Sequence, residues 1–247
     1  MFVDLQQEWA AGVATQLATD GLAWVDGIRT RAQLVTLGAS LGHVVPHRDS
    51  GPDGVTTLMH RGGFAGRAGF EGFGQGALPP HTDRSGIPEP PALLLVACGR
   101  RGRSGGECIA IDGYAVYGEL MLTNPAAAQA LSRPRSVLFG GAAGCLSSVF
   151  EHTPDGRIRV RYRRDELAQF SPDLARWLPA LSDAIERHTT KFALEPGHGY
   201  VLHNHRWLHG RTAFTGERVM YRLSVNPYLG FCIPSGFAPP SVFEVQS

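Results

Sequence analysis

Residues 199–228 read GYVLHNHRWLHGRTAFTGERVMYRLSVNPY, and this stretch decides the architecture. Its first half carries His203, His205 and His209 among Val, Leu and Trp. Its second half alternates: Val219, Tyr221, Leu223 and Val225 fall on one face of a strand, and Arg218, Met220, Arg222, Ser224 and Asn226 on the other. The intervening TGE (215–217) reads as a turn. A strand with two arginines on its second face is either an exposed edge or the wall of a polar pocket. Taken by itself, the pattern favours the exposed edge.

Further segments of the same kind lie outward from this stretch. ALLLVAC (92–98), ECIAID (107–112), RSVLFG (135–140) and RIRVRYR (157–163) are short, rich in Val, Ile, Leu and Tyr, and bounded by Gly or Pro. Helices are expected from an Asp4 cap to Gly21, from a Thr30 cap to Gly42, and over 124–133 with Pro125 in the first turn. Another is expected over 171–188, split by Pro179. Many short strands with turn signals predict a mainly β protein with flanking helices, built as a sandwich or jelly roll. No repeat or low-complexity linker divides residues 1–247, so a single domain is expected. The glycine-rich run RGGFAGRAGFEGFGQGALPP (61–80) is unsuited to regular helix and reads as a long functional loop, a candidate lid.

Composition excludes several classes of function. The 23 basic and 22 acidic residues nearly cancel, leaving a net charge of +1 and no general drive toward nucleic acid or anionic membrane. Among the cations only Lys191 is a lysine. Cys98, Cys108, Cys145 and Cys232 show no CxxC spacing and read as reduced thiols of a cytoplasmic protein. The start, MFVDLQQEWA, lacks a basic n-region, so no signal peptide is expected. PALLLVAC is too short to span a bilayer.

The chemistry-bearing motif is LPPHTDRSG (78–86). On a strand, His81 and Asp83 would point to one side and Thr82 away. An imidazole and a carboxylate converging on one point are two thirds of a facial iron site. The third ligand would come from His203, His205 or His209; the four-residue spacing of His205 and His209 also suits a zinc-type helical pair.

Taken in order, HTD, SGGECIAIDG, NHRWLHGR and RVMYR resemble the Fe(II)/2-oxoglutarate-dependent oxygenases of the taurine dioxygenase and clavaminate synthase-like group, over roughly residues 20 to 228. The resemblance implies a double-stranded β-helix (cupin-like jelly-roll) core. It also implies an iron site of His81, Asp83 and His209, with 2-oxoglutarate and O2 as co-substrates and succinate and CO2 as products. Asp83 speaks against the halogenase variant, in which a small residue replaces the acid. His203 stands where the group usually has Asp, and Cys108 where it commonly has a threonine whose hydroxyl meets the cofactor.

The resemblance places the cofactor's distal carboxylate on Arg218 or Arg222. In the group's R-x-x-x-R pattern the first arginine takes 2-oxoglutarate and the second the substrate's acid group. Counting from His209 instead favours Arg222 for the cofactor, and the balance falls to Arg218. Arg161 and Arg163 are candidates for an anionic group of the substrate. The implied reaction is oxidation, most simply hydroxylation, of a small amino acid or an amino-acid-derived natural-product intermediate. The competing readings are a non-catalytic metal-binding jelly roll and a cupin-like metal hydrolase or isomerase using His81, His205 and His209.

Overall fold

The computed structural model describes residues 5–62 and 68–240. At its centre runs Leu93–Arg100, the apolar segment. Leu93, Leu95 and Ala97 pack into one core and Leu94, Val96 and Cys98 into another, so both faces of this strand are covered. That is why its sequence reads as an unbroken hydrophobic run and not as an alternation. Gly197–His203 and Val219–Pro227 flank it, both antiparallel. Leu22–Ile28 extends the sheet on one side, and Gly42–Val44 and Thr56–Met59 both pair with Val219–Pro227 on the other.

The arginine-bearing strand is therefore interior, and the exposed-edge reading of it is wrong. Leu223 and Val225 go to the helix-covered core and Met220 to the core on the opposite face. Arg222 shares the face of Met220, two positions on.

A second sheet runs in the order Thr190–Phe192, Cys108–Asp112, Trp207–Arg211, Leu78–His81. Leu78–His81 lies at its edge, a position that tolerates Pro79 and Pro80 because an outer edge needs no N–H. Cys108 of this sheet packs with Leu94, Val96, Leu202 and Met220 of the larger one, so this core lies between the two sheets. All strand pairings among the described residues are antiparallel.

Helices Leu5–Thr19 and Arg31–Leu41 cover the other face of the larger sheet through Leu17, Leu34, Leu37 and Leu41. The second starts at Thr30 with a reciprocal cap to Gln33, as its sequence predicts; the Asp4 cap of the first lies outside the described residues. Segment 171–188 divides into Pro172–Ala175 and Leu178–Arg187, with Pro179 in the first turn of the second helix.

One helix has no counterpart in the sequence reading. Gly113–Thr123 contains Tyr, Val and Leu and follows a strand directly. Its start is fixed by Asp112, whose carboxylate accepts from the Tyr114 amide at 3.0 Å. Burial of Val116, Tyr117 and Leu120 against Phe150 and Leu181 then outweighs local propensity. No described helix is long and apolar enough to cross a membrane, and all four cysteines are free.

Candidate active site

His81 and His209 are direct partners in the antiparallel ladder between Leu78–His81 and Trp207–Arg211. Their ring centroids lie 4.3 Å apart. Gly210 makes this approach possible: a Cβ there would sit 2.6 Å from the Leu78 carbonyl oxygen. The H-G pair is thus part of the strand Trp207–Arg211, packed against its neighbour.

Asp83 reaches the site by another route than the expected alternation. The strand ends at His81, because the Thr82 amide turns to the Tyr162 carbonyl at 2.8 Å. The Asp83 amide then donates to Asn204 Oδ1 at 2.7 Å. The structure nonetheless brings the three residues together: one potential ligand atom from each of His81, Asp83 and His209 lies within 4.8 Å of the others.

The electrostatics suit a cation. Burial lowers the pKa of both imidazoles, most strongly that of His209, so both are neutral with lone pairs to offer. His81 Nδ1 faces the Pro79 carbonyl at 2.9 Å. A carbonyl only accepts, so Nδ1 carries the proton and Nε2 is free to ligate. Burial by itself would raise the Asp83 carboxyl, but its neighbours, first among them the Arg222 guanidinium, outweigh burial and hold it at about 2. Asp83 Oδ2 and His209 Nδ1 are buried with no hydrogen-bond partner among the described residues. Orphaned buried acceptors are costly unless something fills them. A carboxylate and two imidazoles are the donor set of a 2-His-1-carboxylate ferrous site, and their two nitrogens suit calcium poorly.

The two strand arginines differ in their partners. Arg222 Nη1 donates to Asp83 Oδ1 at 3.0 Å. Arg218 is buried with no carboxylate partner among the described residues; its neighbours are Cys108 Sγ at 3.9 Å from Nη2 and the Phe214 ring. Burial pushes the Cys108 thiol up to about 11, so it stays protonated. The HGR motif contributes a further cation whose role the sequence reading left unassigned. Arg211 is buried, donates to the carbonyls of Glu71, Gly74 and Gly76, and lies 4.8 Å from the centroid of the same Phe214 ring.

A cavity of about 450 Å³ opens beside the triad and is lined by His81, Asp83, Arg222, Arg84, Arg163 and Glu71, among others. Arg163 faces it but is paired bidentately with Asp165 at 2.5 and 2.7 Å. Arg161 does not line it: this buried guanidinium donates to the carbonyls of Ser85, Ile87 and Pro88, which leaves no free face for a substrate anion. A larger hollow of about 920 Å³, lined by Arg100–Arg103 and residues 216–219, contains none of the three donors.

His203 and His205 are buried away from the triad. His203 Nδ1 accepts from the His205 amide at 3.2 Å, and His205 Nε2 faces the Pro90 carbonyl at 3.0 Å. Of the glycine-rich run expected to form a lid, residues 63–67 lie outside the described residues. Its described part includes a short 3-10 turn, Glu71–Phe73, bonded by Arg211, and runs into the strand Leu78–His81.

The family model described as "Taurine catabolism dioxygenase TauD, TfdA family" matches residues 2–224. An asparagine oxygenase solved with Fe(II), 2S,3S-3-hydroxyasparagine and succinate superposes with a TM-score of 0.68 at 17% identity, covering 89% of this chain and 78% of that one. The non-heme iron oxygenase OrfP, solved with Fe, succinate and (3S)-hydroxy-L-Arg, gives a TM-score of 0.68 at 15% identity, covering 91% and 85%. OrfP with Fe and alpha-ketoglutaric acid gives 0.67 at 13% identity, covering 94% and 85%.

Proposed function

The chain belongs to the taurine catabolism dioxygenase TauD, TfdA family, and from that membership we propose that it hydroxylates a small amino acid, or an amino-acid-derived intermediate of natural-product metabolism. It is an Fe(II)/2-oxoglutarate-dependent dioxygenase, and its co-substrates are 2-oxoglutarate and O2. The hydroxy-amino-acid ligands of the asparagine oxygenase and of OrfP support the choice of substrate class. The single observation that carries the site assignment is the convergence of His81, Asp83 and His209, one potential ligand atom of each lying within 4.8 Å of the others.

In this reading the two sheets form one jelly-roll domain in a cytoplasmic protein, and His81, Asp83 and His209 would hold the iron. When bound, iron and 2-oxoglutarate supply the oxidising chemistry, with release of succinate and CO2. The residues of this chain orient and exclude. Asn204 fixes the Asp83 backbone and Arg222 its carboxylate. Arg218 takes the distal carboxylate of 2-oxoglutarate: it is buried without a carboxylate partner among the described residues, whereas the equally buried Arg161 and Arg211 are occupied by loop carbonyls. Cys108 lies beside that carboxylate as a neutral, weakly donating neighbour.

An anaerobic titration with Fe(II) and 2-oxoglutarate, followed by succinate release across an amino-acid panel, tests the proposal. A visible charge-transfer band that requires both components is expected, with succinate formed above background for at least one amino acid. Iron bound without any response to 2-oxoglutarate would favour the hydrolase or isomerase reading.

A further inference from the structure

The charges around the triad cavity are not balanced, and the imbalance describes a ligand. Three of its guanidiniums have carboxylate partners: Arg222 with Asp83 at 3.0 Å, Arg163 with Asp165 at 2.5 Å, and Arg48 with Asp49 at 3.3 Å. Two do not. Arg84 donates to the Pro46 carbonyl at 3.2 Å, and Arg164 donates to the Ser182 hydroxyl; neither has a carboxylate partner among the described residues. On the opposite sign, the Glu71 carboxylate accepts from the Gly69 amide at 3.1 Å and makes no ion pair among the described residues, Arg211 reaching only the Glu71 backbone carbonyl. Among the described residues, the wall therefore offers two cations and one anion that make no ion pair.

Arg84 is the most telling of the three. It follows the candidate ligand Asp83 directly and lines the cavity. Its φ is 53°, in the left-handed region that side-chain-bearing residues seldom adopt. A glycine would hold this turn without strain, whereas the arginine holds it with its guanidinium on the cavity wall. The distal carboxylate of 2-oxoglutarate is assigned to Arg218, which leaves Arg84 free of the cofactor.

We propose that the substrate is an acidic amino acid, with Arg84 and Arg164 meeting its two carboxylates and Glu71 its ammonium group. The proposal deepens the oxygenase reading above and rests on it. The cavity volume of about 450 Å³ is at the small end of ligand sites and suits a free amino acid better than a peptide. Arg163 and Arg222 take no part in discrimination, because each already faces a carboxylate of the protein. Arg84 is the specificity-determining residue, as the unpaired guanidinium next to a candidate metal ligand.

The test is equilibrium binding to the anaerobic protein loaded with Fe(II) and 2-oxoglutarate, by calorimetry. L-aspartate and L-glutamate are compared with L-asparagine and L-glutamine, which differ from them by one charge and almost no volume. The expected result is that at least one acid binds roughly ten- to a hundred-fold more tightly than its amide. Arg84→Gln is expected to erase that preference, and Arg84→Lys to keep part of it, with the charge-transfer band of the Fe(II)–2-oxoglutarate complex still formed in both. The proposal is overturned if neither acid binds, if neither acid binds more tightly than its amide, or if the preference survives Arg84→Gln. Failure of the wild-type protein to form the band overturns the oxygenase reading itself, and this proposal with it.

Discussion

Asn204 holds Asp83 by both sides of its peptide: its carboxamide oxygen accepts from the Asp83 amide at 2.7 Å, and its nitrogen donates to the Asp83 carbonyl at 3.0 Å. The same nitrogen also reaches the Pro91 carbonyl at 3.0 Å. A side-chain amide is the complement of a peptide unit, so one buried residue replaces the ladder that Asp83 has left. Asn204→Ala leaves one donor and two acceptors unpaired in a buried site. The expected cost is about 2–4 kcal/mol of stability, with Fe(II) affinity falling by roughly 10- to 100-fold. Urea unfolding and Fe(II) titration check this; unchanged metal affinity would show that Asn204 supports the fold without positioning Asp83.

The donor set predicts a sharp division among histidines. His81→Ala, Asp83→Ala and His209→Ala are each expected to lose stoichiometric iron and turnover. His203→Gln and His205→Gln are expected to keep iron, since both rings face backbone or one another at a distance from the triad. Metal analysis after anaerobic reconstitution decides it, and full turnover by the His209 variant would remove that residue from the site.

Arg218 and Arg222 are separated by the charges they already face. Replacing Arg218 with Gln strips a buried cofactor carboxylate of its counter-charge, at a cost of about 2–5 kcal/mol, or ~30- to 5,000-fold in the Kd of 2-oxoglutarate. Arg222→Gln is expected to act mainly on Asp83, whose carboxyl loses its strongest stabilising neighbour and rises from about 2. That variant should lose iron affinity more than cofactor affinity. A large rise in the 2-oxoglutarate Kd confined to Arg222→Gln would reverse the assignment.

Stability of the metal-free protein should fall on mild acidification. Burial first, then a neighbouring cation or imidazole, holds His203 at about 3 and His205 at about 4, below their ordinary 6.5. The unfolded chain binds these protons near pH 6.5 and the folded chain does not, so stability is lost as pH drops below that value. The loss stops growing only below the folded values. Each histidine contributes about 1.4 kcal/mol per pH unit in that window, or roughly 4 kcal/mol for the pair between pH 6.5 and 5. Urea midpoints at pH 7 and pH 5 measure it, and His205→Asn should reduce the slope; a flat profile would mean that the two rings accept protons while folded.

Local patterns carried much of the architecture. The Thr30 cap, the Pro179 break and the two-residue period of 218–226 are readable because capping, proline geometry and side-chain alternation act between near neighbours. The Gly113–Thr123 helix was not readable, since its stability comes from packing against Phe150 and Leu181, far away in the chain. For the same reason the arginine strand looks like an edge in isolation: which strands flank it is a property of the sheet, not of its own residues.

At the site the division is similar. The residue types and order of HTD and HGR, with the strand arginines behind them, determined the chemistry and the family, because ligand atoms and charges belong to side chains whatever the fold. Only the tertiary structure decided how they meet. It pairs His81 with His209 across one ladder and turns Asp83 in through Asn204, not through alternation. It ties Arg161 to loop carbonyls and leaves Arg218 and Arg84 without acidic partners among the described residues. Those outcomes depend on which groups become neighbours when distant segments are buried together. Burial sets the cost of an unpaired charge, and no local stretch of sequence contains that information.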